Sequence, residues 1–373
     1  MKRARRSERG RKDYRDRLSD LPDCVLLHIM KFLNTKQAVQ TCVLSRRWKD
    51  LSKHLTVLTL HSSDFSSIGI FRKFVSWVRS RRDPTISLHN LDLRCEGCVE
   101  PKLLDSVMRY AVSHNVQQLI IEVELHYKVG FMLNPCIFSC PSLTFLKLSM
   151  WAIPYMTKVP QSLVLPSLKS LHLEHVTFST SDNGCAEPFS TCSKLNSLVI
   201  GRCYLQCDAK VLRITNSNLS NLTIDSTITE KAYKIVLSTP NLSALTVLGD
   251  PIHELSSTFN LSLLEEVNID IDTIYHRSSW KTVMALVNWL HVLAKYVKIM
   301  TLSSSTLEIL KVVSTPGLVI TQPPCFARLK LMKMKRFTDI SDEEVRRIVE
   351  YLLQSSIRAR FVIIPATKSD MHT

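Results

Sequence analysis

The sequence predicts an α/β chain: a short three-helix unit, then a curved repeat of parallel strands, then a mixed strand-and-helix cap. Three observations carry this expectation. Apolar residues recur at helical spacing between residues 18 and 60. From residue 88 a short leucine triplet returns every 22 to 33 residues. Near the end a capping signal precedes one amphipathic helix and a short apolar strand. With 373 residues, 45% of them apolar, the chain is long enough for two or three units and too apolar to be disordered.

Glycine is scarce, eight in 373, and the nearest pair, Gly184 and Gly201, lies seventeen positions apart. Phosphate-cradling loops and the sharp nucleophile turn of serine hydrolases need two or more glycines within about six residues, because only glycine lets the backbone approach that closely. The sequence therefore excludes most nucleotide-dependent and serine-hydrolase chemistry. The formal net charge is +15, of which residues 1–17 supply +6 through nine basic and three acidic side chains. This basic tail reads as a nuclear-import signal, and it is also the one feature that would support nucleic-acid binding. Tyr14 is its single aromatic residue, so it lacks the repeated aromatic interleaving that a base-stacking surface needs. No secretory signal and no apolar run of eighteen or more residues is present, so the expectation is a soluble protein of the nucleus or cytoplasm, with no membrane partner. Eleven cysteines, an odd number spread from Cys24 to Cys325, fit reduced thiols.

Pro22 and Asp23 suit the first turn of a helix that carries Leu26, Ile29, Met30 and Leu33 on one face. Asn34-Thr35 breaks it. A second helix carries Ala38, Val39, Cys42 and Val43, and a third, opened by Ser45, carries Trp48 and Leu51. A unit of about forty residues buries too little apolar surface to fold firmly alone, so its core is completed either by the rest of the chain or by a partner. The run from Leu18-Ser19-Asp20-Leu21-Pro22-Asp23 through Leu26, Ile29, Phe32-Leu33 and Ala38-Val39 to Val43-Leu44-Ser45-Arg46-Arg47-Trp48 resembles a plant F-box. Ser52 stands where many plant relatives carry a second tryptophan. The resemblance implies that residues 18–60 bind a Skp-type adaptor and through it a cullin. By position, Leu21, Pro22, Leu26, Ile29, Leu33, Val43, Leu44 and Trp48 would face the adaptor or form the unit's core.

After a connecting segment at 61–87, triplets of the form L-x-x-L-x-L begin at residues 88, 116, 143, 168, 195, 219, 242, 264, 297 and 326. Their number alone is near what chance gives, but their even spacing brackets the period of leucine-rich repeats. Proline fixes an extended entry in Pro141-Ser142-Leu143, Pro166-Ser167-Leu168 and Pro240-Asn241-Leu242. Each repeat is a strand plus a return segment that cannot bury its leucines alone, so stacking over 88–332 makes one continuous core. The long interval near 280 predicts a convex-side helix over 279–296. These repeats resemble those of plant F-box proteins. Residues between the strand leucines point away from the core, so Lys147, His172, Thr223, Thr246, Asn268, Thr301 and Lys330 are the candidates for reading a target. The residual charge of +9 outside the tail favours an acidic or phosphorylated partner, unless its lysines serve only solubility.

At the end, Phe326-x-x-Leu329-x-Leu331 predicts a last repeat strand, Ser341-x-x-Glu344 opens a helix with Val345, Ile348, Val349 and Leu352 on one face, and Phe361–Ile364 forms a strand. Residues 333–366 thus read as a cap, followed by a tail at 367–373, and the layout resembles the FBD segment of plant F-box proteins. The pairs Cys95/Cys98, Cys136/Cys140 and Cys203/Cys207 have zinc-like spacing but fall in separate repeats with no His-x-x-x-His partner. No catalytic, metal or cofactor set is expected. The function expected from residues and resemblance together is a non-catalytic specificity subunit of a Skp-cullin-F-box ubiquitin ligase, binding a target protein through its repeats. The alternatives are a repeat-based receptor for a small molecule and a protein that binds nucleic acid through its basic tail.

Overall fold

A computed structural model describes residues 18–365 except 19, 127–132, 154–156, 182, 207–208, 227–230, 272–279, 313–321, 337–339 and 357. The basic tail at 1–17, the last residues at 367–373 and Cys207 lie outside the described residues.

Three short helices open the fold: α1 (Asp23–Met30), α2 (Thr35–Gln40) and α3 (Arg46–Leu51). The break at Asn34 is a reciprocal cap. Its side chain accepts from the Gln37 amide at 2.8 Å, and the Gln37 side chain accepts from the Asn34 amide at 3.2 Å. Ser45 caps α3 on one side only, its hydroxyl accepting from the Trp48 amide. Leu26, Met30, Ala38, Trp48 and Leu51 are buried, and they belong to the same apolar cluster as the repeats that follow. The small unit therefore completes its core on its own chain.

Strands and helices then alternate: β1 (Val57–His61), α4 (Ile68–Arg81), β2 (Asn90–Cys98), α5 (Pro101–Ser113), β3 (Gln118–His126), β4 (Phe145–Ile153), β5 (Thr157–Val159), β6 (Ser170–Glu174), β7 (Val176–Phe178) and β8 (Cys185–Ala186). They continue as β9 (Ser197–Gly201), β10 (Tyr204–Leu205), β11 (Val211–Thr215), β12 (Asn221–Asp225), β13 (Lys234–Ser238), β14 (Ala244–Leu248), β15 (Glu254–Ser257) and β16 (Glu266–Asp270). The last elements are α6 (Trp280–Ala294), β17 (Ile299–Ser303), α7 (Ser304–Leu310), β18 (Leu331–Arg336), α8 (Asp342–Leu353) and β19 (Arg360–Pro365).

Twelve strands form one parallel sheet in the order β1-β2-β3-β4-β6-β9-β12-β14-β16-β17-β18-β19. Sequence order and spatial order agree because each return segment is too short to skip a neighbour. Two smaller sheets, β10-β7-β5 and β15-β13-β11-β8, are built from the return segments. Between them and the long sheet lies the core. Leu58, Leu91, Leu119, Leu146, Leu171, Leu198 and Leu222 occupy one register row of the long sheet, all essentially excluded from water. A second leucine or isoleucine of each strand fills the row two residues on. Parallel registration lets identical side chains stack, so each leucine packs on its counterparts as well as on the return segments.

The long sheet extends past 88–332 at both ends. Leu55-x-x-Leu58-x-Leu60 supplies a first triplet before residue 88, and α4 fills the segment expected only to connect. At the far end, the strand expected at Phe326-x-x-Leu329-x-Leu331 is displaced. β18 buries Met332 and Met334 instead, so the triplet in use is Leu329-x-x-Met332-x-Met334. Both frames fit an apolar pattern, and pairing with β17, where Met300 faces Met332, selects the second. The expected helix at 279–296 is α6, the capping box of Ser341 and Glu344 opens α8, and β19 covers the predicted Phe361–Ile364.

A candidate adaptor-docking tip and a charged inner face

Two surfaces stand out. The first is the tip of the helical unit, where Phe32, Val43 and Leu44 are 79%, 87% and 61% exposed. They sit where α1 ends and where the turn at Thr41–Val43 leads towards α3, with Pro22 also at the surface. Three large apolar side chains left in water on so small a unit are a cost that a partner can remove.

The second is the outward face of the long sheet. Its middle register row runs Thr59, Asp92, Ile120, Lys147, His172, Val199, Thr223, Thr246, Asn268, Thr301, Lys333 and Val362. The next row, two residues on, contains Arg94, Glu122, Ser149, Glu174, Gly201, Asp225 and Asp270. Ion pairs form along single strands and, from Lys147 to Glu122, between neighbouring ones. Arg94 Nε lies 3.0 Å from Asp92 Oδ1, Lys147 Nζ lies 2.6 Å from Glu122 Oε1, and His172 Nε2 donates to Glu174 Oε1 at 2.7 Å. The His172 hydrogen bond, helped by Ser149 and the nearby Lys147 charge, holds the Glu174 carboxyl down at about 2 against the desolvation that opposes it.

Near the end of β4, Trp151 is exposed and its ring lies 4.3 Å from that of His175, the residue after β6. His175 and Arg202 close their strands in the left-handed region, φ 54° and 50°, and the amide of each donates across to the next repeat, to Gly201 and Asp225 respectively. That conformation is uncommon for residues with a Cβ and is held by these bonds. Burial, with Arg202 nearby, keeps the His175 imidazole below its usual range. The thiols of Cys95 and Cys203 are pushed up to about 12 by burial, which leaves them unreactive.

The F-box domain model matches residues 18–59, and the model of the LRR repeats of FBD-associated F-box protein At5g56370 matches residues 104–269. F-box/LRR-repeat protein 13 of Arabidopsis thaliana is 29% identical over 268 residues, 71% of this chain and 58% of that protein. A second Arabidopsis F-box/LRR-repeat protein is 31% identical over 245 residues, 64% of this chain and 66% of that one. The chain belongs to the plant F-box/LRR-repeat family. A putative F-box/FBD/LRR-repeat protein of the same plant aligns over 324 residues at 29% identity, 82% of this chain and 67% of its own length. The chain spans between 53% and 66% of the length of the first relatives it matches.

Within the F-box, the structure divides the sequence candidates. Leu26 and Trp48 are buried in the protein's own core, so they hold the F-box together and are not offered to an adaptor. Helical spacing marks an apolar face without saying what covers it, and here the chain's own apolar core does. Leu21, Ile29 and Leu33 are half-buried against that core, while Pro22, Val43 and Leu44 are at the surface. Phe32, part of the same motif, belongs with the exposed set although the spacing argument passed over it. On the LRR face, six of the seven candidates share the middle row. Lys330 does not: it lies before β18, and Lys333 takes the expected place because of the displaced strand frame. Thr301 is in the row but only 5% exposed, a short side chain flanked in register by the longer Asn268 and Lys333. Asn268 Oδ1 is buried and has no hydrogen-bond partner among the described residues. The positive net charge is not spread evenly over this face, where Glu122, Glu174, Asp225 and Asp270 recur on every second strand beside Arg94, Lys147 and Lys333. Glu122, Glu174, Trp151 and His175 are legible only as positions two to four residues past each row residue.

Gly201 makes room for Glu174. A Cβ at position 201 would stand 2.9 Å from Glu174 Cγ, closer than packed carbons allow. Because Glu174 titrates below its usual 4.5, the pair stabilises the fold above about pH 4.5, and that contribution is lost as pH falls towards 2. Gly201→Ala is expected to cost about 1–2 kcal/mol at pH 7 by displacing Glu174, a figure lowered for screening at this partly exposed site. Melting temperatures of both proteins between pH 7 and pH 2.5 check this. The gap should narrow below pH 4.5, and a gap independent of pH would refute the account.

Proposed function

We propose that this chain is the substrate-recognition subunit of a Skp-cullin-F-box ubiquitin ligase. The observation that carries the reading is the exposure of Phe32, Val43 and Leu44 at the tip of a segment matched by the F-box model. These side chains dock a Skp-type adaptor, which links the chain to a cullin. The LRR inner face, with its ion-paired rows and the Trp151–His175 rim, receives a target protein. The chain supplies position and no reacting group: holding a target near a ubiquitin-conjugating enzyme raises the effective concentration of its lysines.

Rigid attachment supports this division of labour. The Thr59 amide donates to Thr35 Oγ1 at 2.8 Å, the Asp83 amide donates to the Lys53 carbonyl at 2.9 Å, and Lys36 lies over the Phe65 ring at 4.8 Å. The F-box thus keeps a fixed orientation to the first repeat. Co-expression with a Skp-type adaptor and a cullin is expected to yield a three-protein complex at equal stoichiometry by gel filtration. Recovery of the adaptor without the cullin would defeat the ligase assignment and leave an adaptor-binding protein.

A further inference from the structure

β19 is the last strand of the long sheet, with β18 on one side and no strand on the other. The Arg360 amide donates to the Lys330 carbonyl at 2.9 Å. In the register with β18, the backbone groups of Arg360, Val362 and Ile364 therefore turn towards β18, and those of Phe361 and Ile363 turn away. The amides of Phe361 and Ile363 have no partner among the described residues. Apolar surface is left open beside them. Ile363 ends a register row whose other members, from Leu60 and Leu93 to Leu302 and Met334, are at most 2% exposed. Ile363 itself is 45% exposed, and Val362, on the opposite face of the strand, 44%.

Two other sheet edges are blunted. At the start of the long sheet, the outward Thr59 amide donates to Thr35 Oγ1 of the F-box at 2.8 Å. On β15, an edge of the four-stranded sheet, the Leu255 amide donates to Asn288 Oδ1 of α6 at 3.0 Å. Folded proteins manage edges in this way because unpaired backbone groups template pairing with another chain. β19 does the reverse, with the apolar run Phe361-Val362-Ile363-Ile364 on its open edge.

We propose that β19 is a dimerisation edge, pairing antiparallel with β19 of a second copy of this chain about a two-fold axis through Val362. The free groups are symmetric about that residue: Phe361 of each copy exchanges both backbone hydrogen bonds with Ile363 of the other, and none of the outward groups of either residue is left over. Centring on Ile363 would set Phe361 opposite Pro365, which has no amide to give. Centring on Phe361 would set Ile363 opposite Ala359, whose amide already donates to the Ser356 carbonyl. Head-to-tail addition onto β1 is closed, because the F-box holds that edge, so the pairing gives a closed dimer and no filament. The two Arg360 side chains are four residues apart along the paired strands, ~13 Å, beyond the ~10 Å screening length at 0.1 M salt. The 6 residues of β19 fall well below the roughly 20–30 a side of a standard interface, so the dimer is weak and reversible. The paired edges make one continuous sheet with an F-box at each end.

Sedimentation equilibrium of the full chain, at concentrations up to about 100 μM, is expected to show a reversible monomer–dimer equilibrium. Val362→Lys and Val362→Glu should each weaken it roughly tenfold or more, because like charges then face each other across the axis, and an equimolar mixture of the two should restore it. Val362 is exposed, so both variants should melt as the parent does. Val43→Asp combined with Leu44→Asp should leave the dimer unchanged, which separates this edge from the F-box tip. A chain that stays monomeric, association that survives either charge, or a mixture that fails to recover would each overturn the proposal. Dimerisation seen only after removal of residues 367–373 would overturn it too, by assigning the edge to the chain's own tail. None of these outcomes depends on whether the F-box engages an adaptor.

Discussion

Replacing Val43 and Leu44 together by aspartate is expected to weaken adaptor binding by a factor of 100 or more, on the order of 3–6 kcal/mol, while the free protein melts almost unchanged. Both side chains are mostly in water in the free chain, so a polar residue there costs little, about 0.5 kcal/mol or less. Under an adaptor each would bury at roughly 1.5–3 kcal/mol, and an aspartate would add desolvation to that loss. Leu26→Ala and Trp48→Ala provide the contrast. They lie in the core shared with the repeats, so each should lower stability by about 2–5 kcal/mol and lose the adaptor only as a consequence. Surface plasmon resonance with immobilised adaptor, alongside thermal melting, separates the two classes. Adaptor affinity undiminished in the aspartate pair would remove the tip from the interface.

Arg82→Met should be the most damaging single change at the junction of F-box and repeats. Arg82 is 4% exposed. Its Nε donates to the Leu55 carbonyl at 2.6 Å, one terminal nitrogen to the Ile86 and Ser87 carbonyls at 2.5 and 2.9 Å, and the other reaches the Tyr110 hydroxyl at 3.4 Å. Four acceptors from three stretches of chain thus share one side chain: the end of the F-box, the approach to β2, and α5. Methionine fills the volume but leaves three carbonyls without donors at about 1–3 kcal/mol each, so a loss of roughly 3–5 kcal/mol is expected. Lysine should rescue little, since an ammonium cannot span the fork that a guanidinium fills. Denaturant unfolding of the three proteins, with proteolysis between residues 52 and 90 as a second readout, tests this. Equal midpoints, or full rescue by lysine, would show that Arg82 does not hold the junction.

Legibility followed the physics of each element. Capped helices were readable because Asn34, Ser45 and Ser341 bond to amides three residues away, and no distant contact is needed to form them. The repeat strands were readable because each carries its own apolar triplet. Where two frames of that triplet overlapped, as at Phe326-Leu329-Leu331 and Leu329-Met332-Met334, pairing with β17 chose between them, and Lys330 gave way to Lys333. Helix α4 was missed because it lacks the triplet, although Phe71, Val75 and Val78 mark its buried face.

The amino-acid order alone thus determined the helical start, the number and direction of most repeat strands, and which residues alternate away from the leucines, since these depend on neighbours a few positions apart. Only tertiary structure decided which apolar side chains of the F-box remain in water, because the chain's own core takes in Leu26 and Trp48 and leaves Phe32, Val43 and Leu44 bare. The same holds for the charge pattern of the inner face. Net charge sums over the whole chain, whereas parallel registration sets Glu122, Glu174, Asp225 and Asp270 in line from positions 52, 51 and 45 residues apart. Spatial adjacency of that kind is written in no local stretch of sequence.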